Sequence, residues 1–185
     1  ACCEETVRVI MREKGLQAKR KRRFVATTDS DHTMPVAHNL LDRDFEPERP
    51  NQKWVADITY IPTHEGWLYL SAVMDLYGRR VVGWNTSAHI DTDLVTDAFH
   101  AAVRARRPAS GLLHHSDRGS QYASDTFQSL LTFFGIRCSM SRKGNCWDNA
   151  CMERFFCSLK TEWIGDTIYP TREAATTAVF EYIET

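Results

Sequence analysis

The sequence lacks a long apolar run, a zinc-type cysteine pattern and any large net charge. None of its apolar stretches approaches the roughly 20 residues that cross a bilayer, and its first residues lack the charged-then-apolar order of a signal peptide. We therefore expect an intracellular protein with no membrane partner. The six cysteines form no Cys-x-x-Cys pair and are too sparse for a small secreted scaffold, so we expect reduced thiols rather than zinc ligands or disulfides.

A net charge of −1 gives no overall attraction for a polyanion, but the charge is unevenly distributed. Between residues 137 and 160, five basic residues stand against two acids, which leaves a local balance of +3. A separate basic run near the N-terminus can either bind a phosphate backbone or form a solvated arm, and the sequence leaves both interpretations open. The run consists of Lys19, Arg20, Lys21, Arg22 and Arg23.

The first 50 residues are predicted to form a small helical and basic segment, joined by a linker to one main domain. Apolar residues at helical spacing predict a short helix over residues 5–14. Residues 27–50 are polar, contain three prolines and show no sustained period, so they are predicted to be a linker with one turn of helix at 39–42. The main domain is predicted to span residues 51–185.

The main domain changes from a period of two to a period of 3.6 along its length. Three strands joined by short turns come first and predict an antiparallel meander. Helices then alternate with two more strands, as in βα units. The prediction is therefore an α/β fold with a five-stranded mixed sheet flanked by helices, which is the order of the ribonuclease H-like fold. The predicted strands span 53–61, 67–74, 80–86, 112–115 and 136–140, and the predicted helices begin near Asp91, Ser124, Asp148 and Thr171.

Three carboxylates, Asp57, Asp117 and Glu153, lie in three separate motifs with 59 and then 35 residues between them. Asp57 falls in the middle of the first strand of the main domain, Asp117 directly follows the fourth strand, and Glu153 lies on the helix that begins near residue 148. Acidic groups brought together from distant elements repel one another unless they share a cation. The trio therefore predicts a divalent metal site that acts on phosphate oxygens.

Each of these carboxylates also has an ordinary interpretation. An Asp in a strand is usually paired, an Asp before Arg-Gly usually forms a turn, and a Glu on a helix flank usually faces water. Three other acids, Asp75, Asp125 and Asp148, are better explained as turn or capping residues. Only the joint pattern of the three motifs favours the functional interpretation.

Several polar residues near the third carboxylate are further candidates. Asn149, Glu153 and Lys160 fall within about 40° of one another on the predicted helix, so an amide and an ammonium point the same way as Glu153. Asn149 can position a phosphate or a metal-bound water, or simply lie at the helix N-terminus. Arg142 and Lys143 lie in a predicted mobile loop, where they suit DNA backbone contact or plain solvation.

Two adjacent histidines precede Asp117. His114 and His115 alternate across a strand, so at most one of them faces the carboxylates. For both, a packed structural histidine is the favoured interpretation.

Four long motifs carry a resemblance to a known family. The segments NQKWVADITYI, MDLYGRRVVGW, LLHHSDRGSQYAS and SRKGNCWDNACMERFFCSLKTE resemble the catalytic core of DDE transposases of bacterial insertion sequences, in particular the insertion-sequence-three group, which is related to retroviral integrases. The resemblance implies that Asp57, Asp117 and Glu153 are catalytic metal ligands for Mg²⁺ or Mn²⁺, with two ions in the site. It implies that Lys160 contacts DNA near the scissile phosphate. Residues 6–44 are similar to the small helical region that helps to hold transposon DNA in this family.

The resemblance also implies a reaction and its partners. A metal-activated water cleaves a phosphodiester at a terminal inverted repeat, and the freed 3′-OH then attacks a second phosphodiester and joins the strands to target DNA. The implied protein is bacterial, cytoplasmic and nucleoid-associated, forms homo-oligomers on DNA, and works with the helix-turn-helix product of an upstream reading frame. Family members continue with a basic C-terminal segment, so the core is expected to be truncated here. A ribonuclease H-type hydrolase that cuts without joining, or a catalytically silent DNA-binding remnant, remains an alternative.

Overall fold

The computed structural model describes residues 3–16 and 32–185. The predicted DNA-contacting run, residues 19–23, lies outside these ranges. Within them, no helix combines the length and apolar character that a bilayer span requires. The strands are β1 (Lys53–Thr63), β2 (Gly66–Asp75), β3 (Arg80–Ser87), β4 (Leu113–Ser116) and β5 (Arg137–Met140). The helices are α1 (Glu4–Glu13), α2 (Thr92–Arg106), α3 (Ser120–Ala123), α4 (Asp125–Phe133), α5 (Ala150–Ser158) and α6 (Arg172–Glu184).

The five strands form one mixed sheet in the order β3-β2-β1-β4-β5. β1, β2 and β3 are antiparallel neighbours, while β4 is parallel to both β1 and β5. Short turns join the first three strands because Gly66 and Arg79 take positive φ angles there, whereas the parallel strands are reached through helical connections. The predicted five-stranded mixed sheet, a meander followed by βα units, is confirmed.

The sheet separates two apolar cores, and the alternation of side chains along β1 assigns each residue to one of them. Trp54 and Ala56 face the core that α2 and α4 cover. Val55 and Ile61 face the core that α5 and α6 cover. Asp57 has the same parity as Val55, so its side chain lies on the α5 side of the central strand.

Helix α5 is interrupted at both ends. It is preceded by a 3₁₀ turn, Cys146–Asn149, and followed by a π-helical turn, Leu159–Ile164. The sequence predicts a single long helix from about Asp148. The spacing of apolar residues does not show where the backbone hydrogen bonds change from one helix type to another. The short helix α3 was not predicted either, since four residues are too few to show a period.

Residues 32–45, which we call the strap, pack on the core although their sequence predicts part of a free linker. Leu41 is 1% exposed and belongs to the core on the α5 side. The backbone amides of Leu40 and Leu41 donate to Ser139 Oγ at 2.8 and 3.1 Å. Burying one leucine contributes about 1.5–3 kcal/mol, and Met34, Ala37 and Phe45 add further packing against the two cores, so a few apolar residues in a polar stretch help to hold the strap. A domain boundary near residue 51 stays a prediction.

Gly83 is required where β3 meets α2. A Cβ atom at this position would lie 2.3 Å from the Ala102 backbone nitrogen and 2.4 Å from the Ala98 carbonyl oxygen, and helix backbone cannot move aside as a flexible side chain can. We expect Gly83→Ala to lower the free energy of unfolding by about 3 kcal/mol through overpacking. In urea unfolding experiments, Gly78→Ala serves as the control, because nothing lies within 4 Å of its added methyl group. Equal stability of the two variants would contradict this account of the contact.

Candidate active site

The parallel pairing of β1 with β4 brings Asp57 and Asp117 together. Val55 pairs with His115, so the same register places Asp57, two residues further on, level with Asp117. Asp57 is partly buried, and its pKa is raised well above the ordinary value of 3.8, first by burial and then by the negative charge of Asp117. The two carboxylates therefore repel each other, one from within β1 and the other from directly after β4.

Local backbone amides hold both aspartates. Asp57 Oδ1 accepts from the Ile58 amide at 2.8 Å, and this bond lowers its pKa against the larger effect of burial. Asp117 Oδ1 accepts from the Gly119 amide at 2.9 Å, which closes a turn directly after β4. The ordinary interpretation of Asp117 as a turn former is thus correct, and it does not compete with a functional one, because the turn is what presents the carboxylate next to Asp57.

Glu153 approaches the pair from α5 without closing a cluster around it. The Glu153 residue as a whole is exposed, but its carboxyl group is partly surrounded by protein, and this partial burial raises its pKa. Its charge contributes to the raised pKa of Asp57, so the three carboxylates share one electrostatic environment. Within the described ranges, however, no group of three or more His, Cys, Asp or Glu side chains is close enough to hold a metal ion.

The chemistry of the donors nevertheless fits a hard divalent cation. All three side chains supply carboxylate oxygens, the ligands that Mg²⁺ and Ca²⁺ prefer. Burial is the main cause of the raised pKa of Asp57, and the negative charges of Asp117 and Glu153 raise it further, which a bound cation would counter. Asp57, Asp117 and Glu153 are the residues that would hold such an ion.

Lys160 lies at the same site, as its helical spacing predicted. Its ammonium sits 4.3 Å from the centroid of the Tyr60 ring, a cation–π contact on the edge of β1. Burial lowers the pKa of Lys160 and the charge of Asp57 raises it, while the charge of Lys160 in turn lowers the pKa of Asp57. The ammonium is therefore a positive charge beside the carboxylates; its contact with DNA stays a prediction.

Asn149 directly precedes α5, as the interpretation of a residue at the helix N-terminus predicts, and a role in positioning a phosphate or a metal-bound water stays a prediction. It is 4% exposed, so its side chain does not present a surface for DNA. Its side chain makes no capping bond at the start of α5; instead, Nδ2 donates to the carbonyl oxygen of Ala56 at 3.1 Å. Its Oδ1 is buried and has no hydrogen-bond partner among the described residues. Asn149 thus ties the start of α5 to the residue that precedes Asp57.

Asp148 is not a capping residue, and Arg142 is not a freely mobile loop charge. The Asp148 carboxylate is fully buried and accepts from the backbone amide, Nε and Nη2 of Arg142 at 3.0, 2.9 and 2.7 Å. It also accepts from Arg43 Nε at 3.0 Å and from Asn39 Nδ2 at 3.0 Å. These donors hold its pKa well below the usual range. Lys143, on the same loop, has an exposed side chain.

Both histidines are buried, which confirms the structural interpretation. His115 lies between Ser139 Oγ at 2.8 Å and Ser141 Oγ at 3.1 Å, and burial lowers its pKa to about 4. The His114 ring packs among aromatic side chains, including Phe99 and Phe127, and burial lowers its pKa to about 3. Neither of its ring nitrogens has a partner within the described part of the chain.

Tyr122 is a residue near the site that the sequence did not single out. Its hydroxyl is buried on the other face of the sheet, and its pKa is raised by burial and by the charges of Asp117 and Asp57. It stands five residues after Asp117 in the HHSDRGSQY motif, and that spacing was the available signal. By filling the core, Tyr122 anchors the segment that follows Asp117.

The raised pKa of Asp57 predicts that its charge destabilises the metal-free fold. Between the ordinary pKa of 3.8 and the raised value, the folded protein binds more protons than the unfolded one, so stability falls as pH rises through this range. We expect Asp57→Asn to raise the free energy of unfolding at pH 7 by about 1.4 kcal/mol for each unit of the shift, measured by urea unfolding in EDTA. The gain should vanish at low pH. Asp97→Asn, on an exposed helix face, is the control, and a loss of stability in Asp57→Asn would contradict the prediction.

The lowered pKa of His114 predicts the opposite dependence of stability on pH. Its pKa falls from 6.5 to about 3 on folding, so the unfolded state binds the extra proton and stability is lost as pH drops below 6.5. We expect His114→Phe to remove two unsatisfied nitrogens and to raise the free energy of unfolding at pH 5 by about 2 kcal/mol. The same change at half-buried His100 should give no such gain. Thermal unfolding between pH 4 and 8 tests this, and an unchanged acid limb in His114→Phe would refute it.

The sequence of this chain is similar to those of known proteins. Residues 47–146 match the family model described as Integrase core domain, and residues 134–185 match a second model of the same description. The chain is 45% identical over 180 residues to the transposase InsF for insertion sequence IS3A of Escherichia coli K12, covering 97% of this chain and 62% of that protein. It is 45% identical over 175 residues to the insertion element IS600 uncharacterized 31 kDa protein of Shigella sonnei, covering 95% and 64%. The chain thus spans a little under two thirds of these curated relatives.

Solved structures share the fold. A chain of the simian T-cell lymphotropic virus intasome, solved in complex with a PP2A regulatory subunit, superposes with a TM-score of 0.60 at 23% identity, covering 83% of this chain and 54% of that one. The HTLV-2 integrase catalytic core domain, solved in complex with magnesium, gives a TM-score of 0.55 at 19% identity, covering 72% and 86%. The ribonuclease H-like fold and the resemblance to insertion-sequence-three transposases are confirmed. The first family model covers more than half of the 185 residues of the chain. The chain therefore belongs to the integrase core domain family.

Proposed function

We propose that this chain is the catalytic core of a transposase that cleaves and joins DNA strands at the ends of an insertion sequence. The observation that carries the proposal is the placement of Asp57 level with Asp117, with Glu153 and Lys160 acting on the same electrostatic environment. Relatives of 45% identity that are named as insertion-sequence transposases support it. The neighbouring HTLV-2 core was solved with magnesium, which supports a divalent metal requirement.

In this proposal, Asp57, Asp117 and Glu153 bind Mg²⁺ or Mn²⁺, with two ions in the site. Bound metal supplies an activated water or 3′-hydroxyl and stabilises the leaving oxygen of an in-line phosphoryl transfer. Asp57 presents its oxygens from within β1 and Asp117 from directly after β4, so the pairing of these two strands fixes their relative position. Glu153 supplies its oxygens from α5, which packs on the face of the sheet that carries Asp57.

Lys160 holds the scissile phosphate beside the carboxylates. Its ammonium lies over the Tyr60 ring, and burial lowers its pKa, so the ammonium is poorly solvated in the free protein. A phosphate group placed there would supply the negative charge that favours the ammonium form. Lys160 therefore orients the phosphodiester without taking part in bond formation.

Further DNA contacts follow from the basic residues around this site. The loop before α5 carries Lys143 and Arg142, and the Arg142 side chain is 48% exposed. Both residues suit contact with backbone phosphates. The run over residues 19–23 precedes the strap and suits the same role. The proposed partners are terminal inverted repeats, target DNA, further copies of the chain, and the helix-turn-helix product of an upstream reading frame. The proposed location is the bacterial nucleoid.

The decisive experiment is a joining assay with a labelled terminal-repeat duplex. We expect cleaved and joined products only with Mg²⁺ or Mn²⁺. Asp117→Asn and Glu153→Gln should each lower joining by at least about a hundredfold, because changes even to outer-shell partners of a metal cost 10–100-fold. DNA affinity should stay within about tenfold, because backbone contacts carry most of it. Glu173→Gln, at the start of α6, is the matched control.

Each other outcome points to a defined alternative. Cleavage without joining would identify a ribonuclease H-type hydrolase. Binding that is independent of metal, with no cleavage, would identify a silent DNA-binding remnant. Joining that is unchanged in Glu153→Gln would overturn the assignment of the site.

A further inference from the structure

A fully buried carboxylate lies at the start of the helix that carries Glu153. Asp148 lies in the 3₁₀ turn before α5 and receives hydrogen bonds from two other segments of the chain: the strap through Asn39 and Arg43, and the loop after β5 through Arg142. A buried charge is tolerated only when it is paired and hydrogen-bonded, and Asp148 meets both conditions. Removing one of its donors would therefore disturb all three segments.

The next residue connects this junction to the site. Asn149 Nδ2 donates to the Ala56 carbonyl oxygen, one residue before Asp57 in β1. Asp148 and Asn149 thus fasten the start of α5 on two sides, to the strap and to the central strand. Because both side chains are buried, neither bond competes strongly with water.

Glu153 depends on this fastening more than its partners do. Asp57 and Asp117 are each held by a backbone amide beside them, whereas the Glu153 carboxylate makes no hydrogen bond or ion pair with any described residue. Its position is therefore the position of α5, which begins at Ala150. A helix is stiff over one turn, so a shift at residues 148–149 is transmitted directly to Glu153.

We propose that Asp148 is a positioning residue and that the strap, through Arg43, holds α5 so that Glu153 faces the Asp57 and Asp117 pair. The proposal rests on the proposed function for its catalytic meaning. It gives residues 32–45 a task in the active site, although their sequence is that of a linker. It also assigns the Arg142 guanidinium first to Asp148 and only second to DNA.

The strap contact can be weakened without leaving Asp148 unpaired. Arg43→Met removes one donor and keeps the Arg142 fork, so the buried charge retains a partner and the protein should fold. Arg49→Met makes the same chemical change six residues further on, at an exposed side chain with no hydrogen bond or ion pair to a described residue. Arg43→Lys keeps the charge but loses the planar fork, and it serves as the conservative variant.

The first measurement is amide hydrogen exchange of the full chain in peptides that cover residues 150–158. Losing a hydrogen bond to a charged group should raise exchange there by about tenfold in Arg43→Met. Arg43→Lys should show a smaller rise, and Arg49→Met none. Faster exchange in the strap alone, with α5 unchanged in both Arg43 variants, would overturn the proposal.

The second measurement separates positioning from simple loss of stability. Well below the unfolding temperature of each variant, single-turnover joining should fall by about tenfold in Arg43→Met while the Kd for DNA stays within about threefold, and Arg43→Lys should restore part of the rate. An unchanged joining rate in Arg43→Met would overturn the positioning role. If the parent chain does not join DNA at all, the proposed function fails, whereas the exchange experiment still decides whether the strap holds α5.

Discussion

The parallel pairing of β1 with β4 is the interaction on which the candidate site depends. The register that sets Val55 against His115 also sets Asp57 level with Asp117, and no other contact between these two segments would do so. Parallel strands need a long connection, which here contains two antiparallel strands and α2. Some 60 residues of chain therefore separate the two carboxylates that the sheet places side by side.

Placing two carboxylates side by side destabilises the fold, and the apolar packing around β1 offsets this destabilisation. Asp57 carries a raised pKa because it is buried beside another acid. The residues next to it along β1, Ala56 and Ile58, face one core, and Val55 and Ile61 face the other, so the strand is buried on both sides. A central strand packed in this way holds the unfavourable pair of carboxylates in place.

The third carboxylate is placed by a different kind of interaction. Glu153 arrives on a helix, and the helix is fastened by polar bonds rather than by strand pairing. Asp148 and Asn149 tie its first turn to the strap and to β1, while Met152, Phe156 and Leu159 bury its apolar face. This division has a physical consequence: the two aspartates move only if the sheet moves, whereas Glu153 moves if a few hydrogen bonds yield.

The sequence by itself determined the elements and the chemistry of the three carboxylates, because strand alternation, helix caps such as Ser124 and Thr171, and motif spacing are local properties of the chain. Tertiary structure alone decided what those elements bring together. Asp148 had the sequence context of a helix cap, yet it became a buried acceptor for Arg43, 105 residues away, because pairing between distant polar side chains leaves no periodic trace. The strap had the composition of a linker, and tertiary contacts such as the packing of Leu41 and the hydrogen bonds to Ser139 made it part of the core.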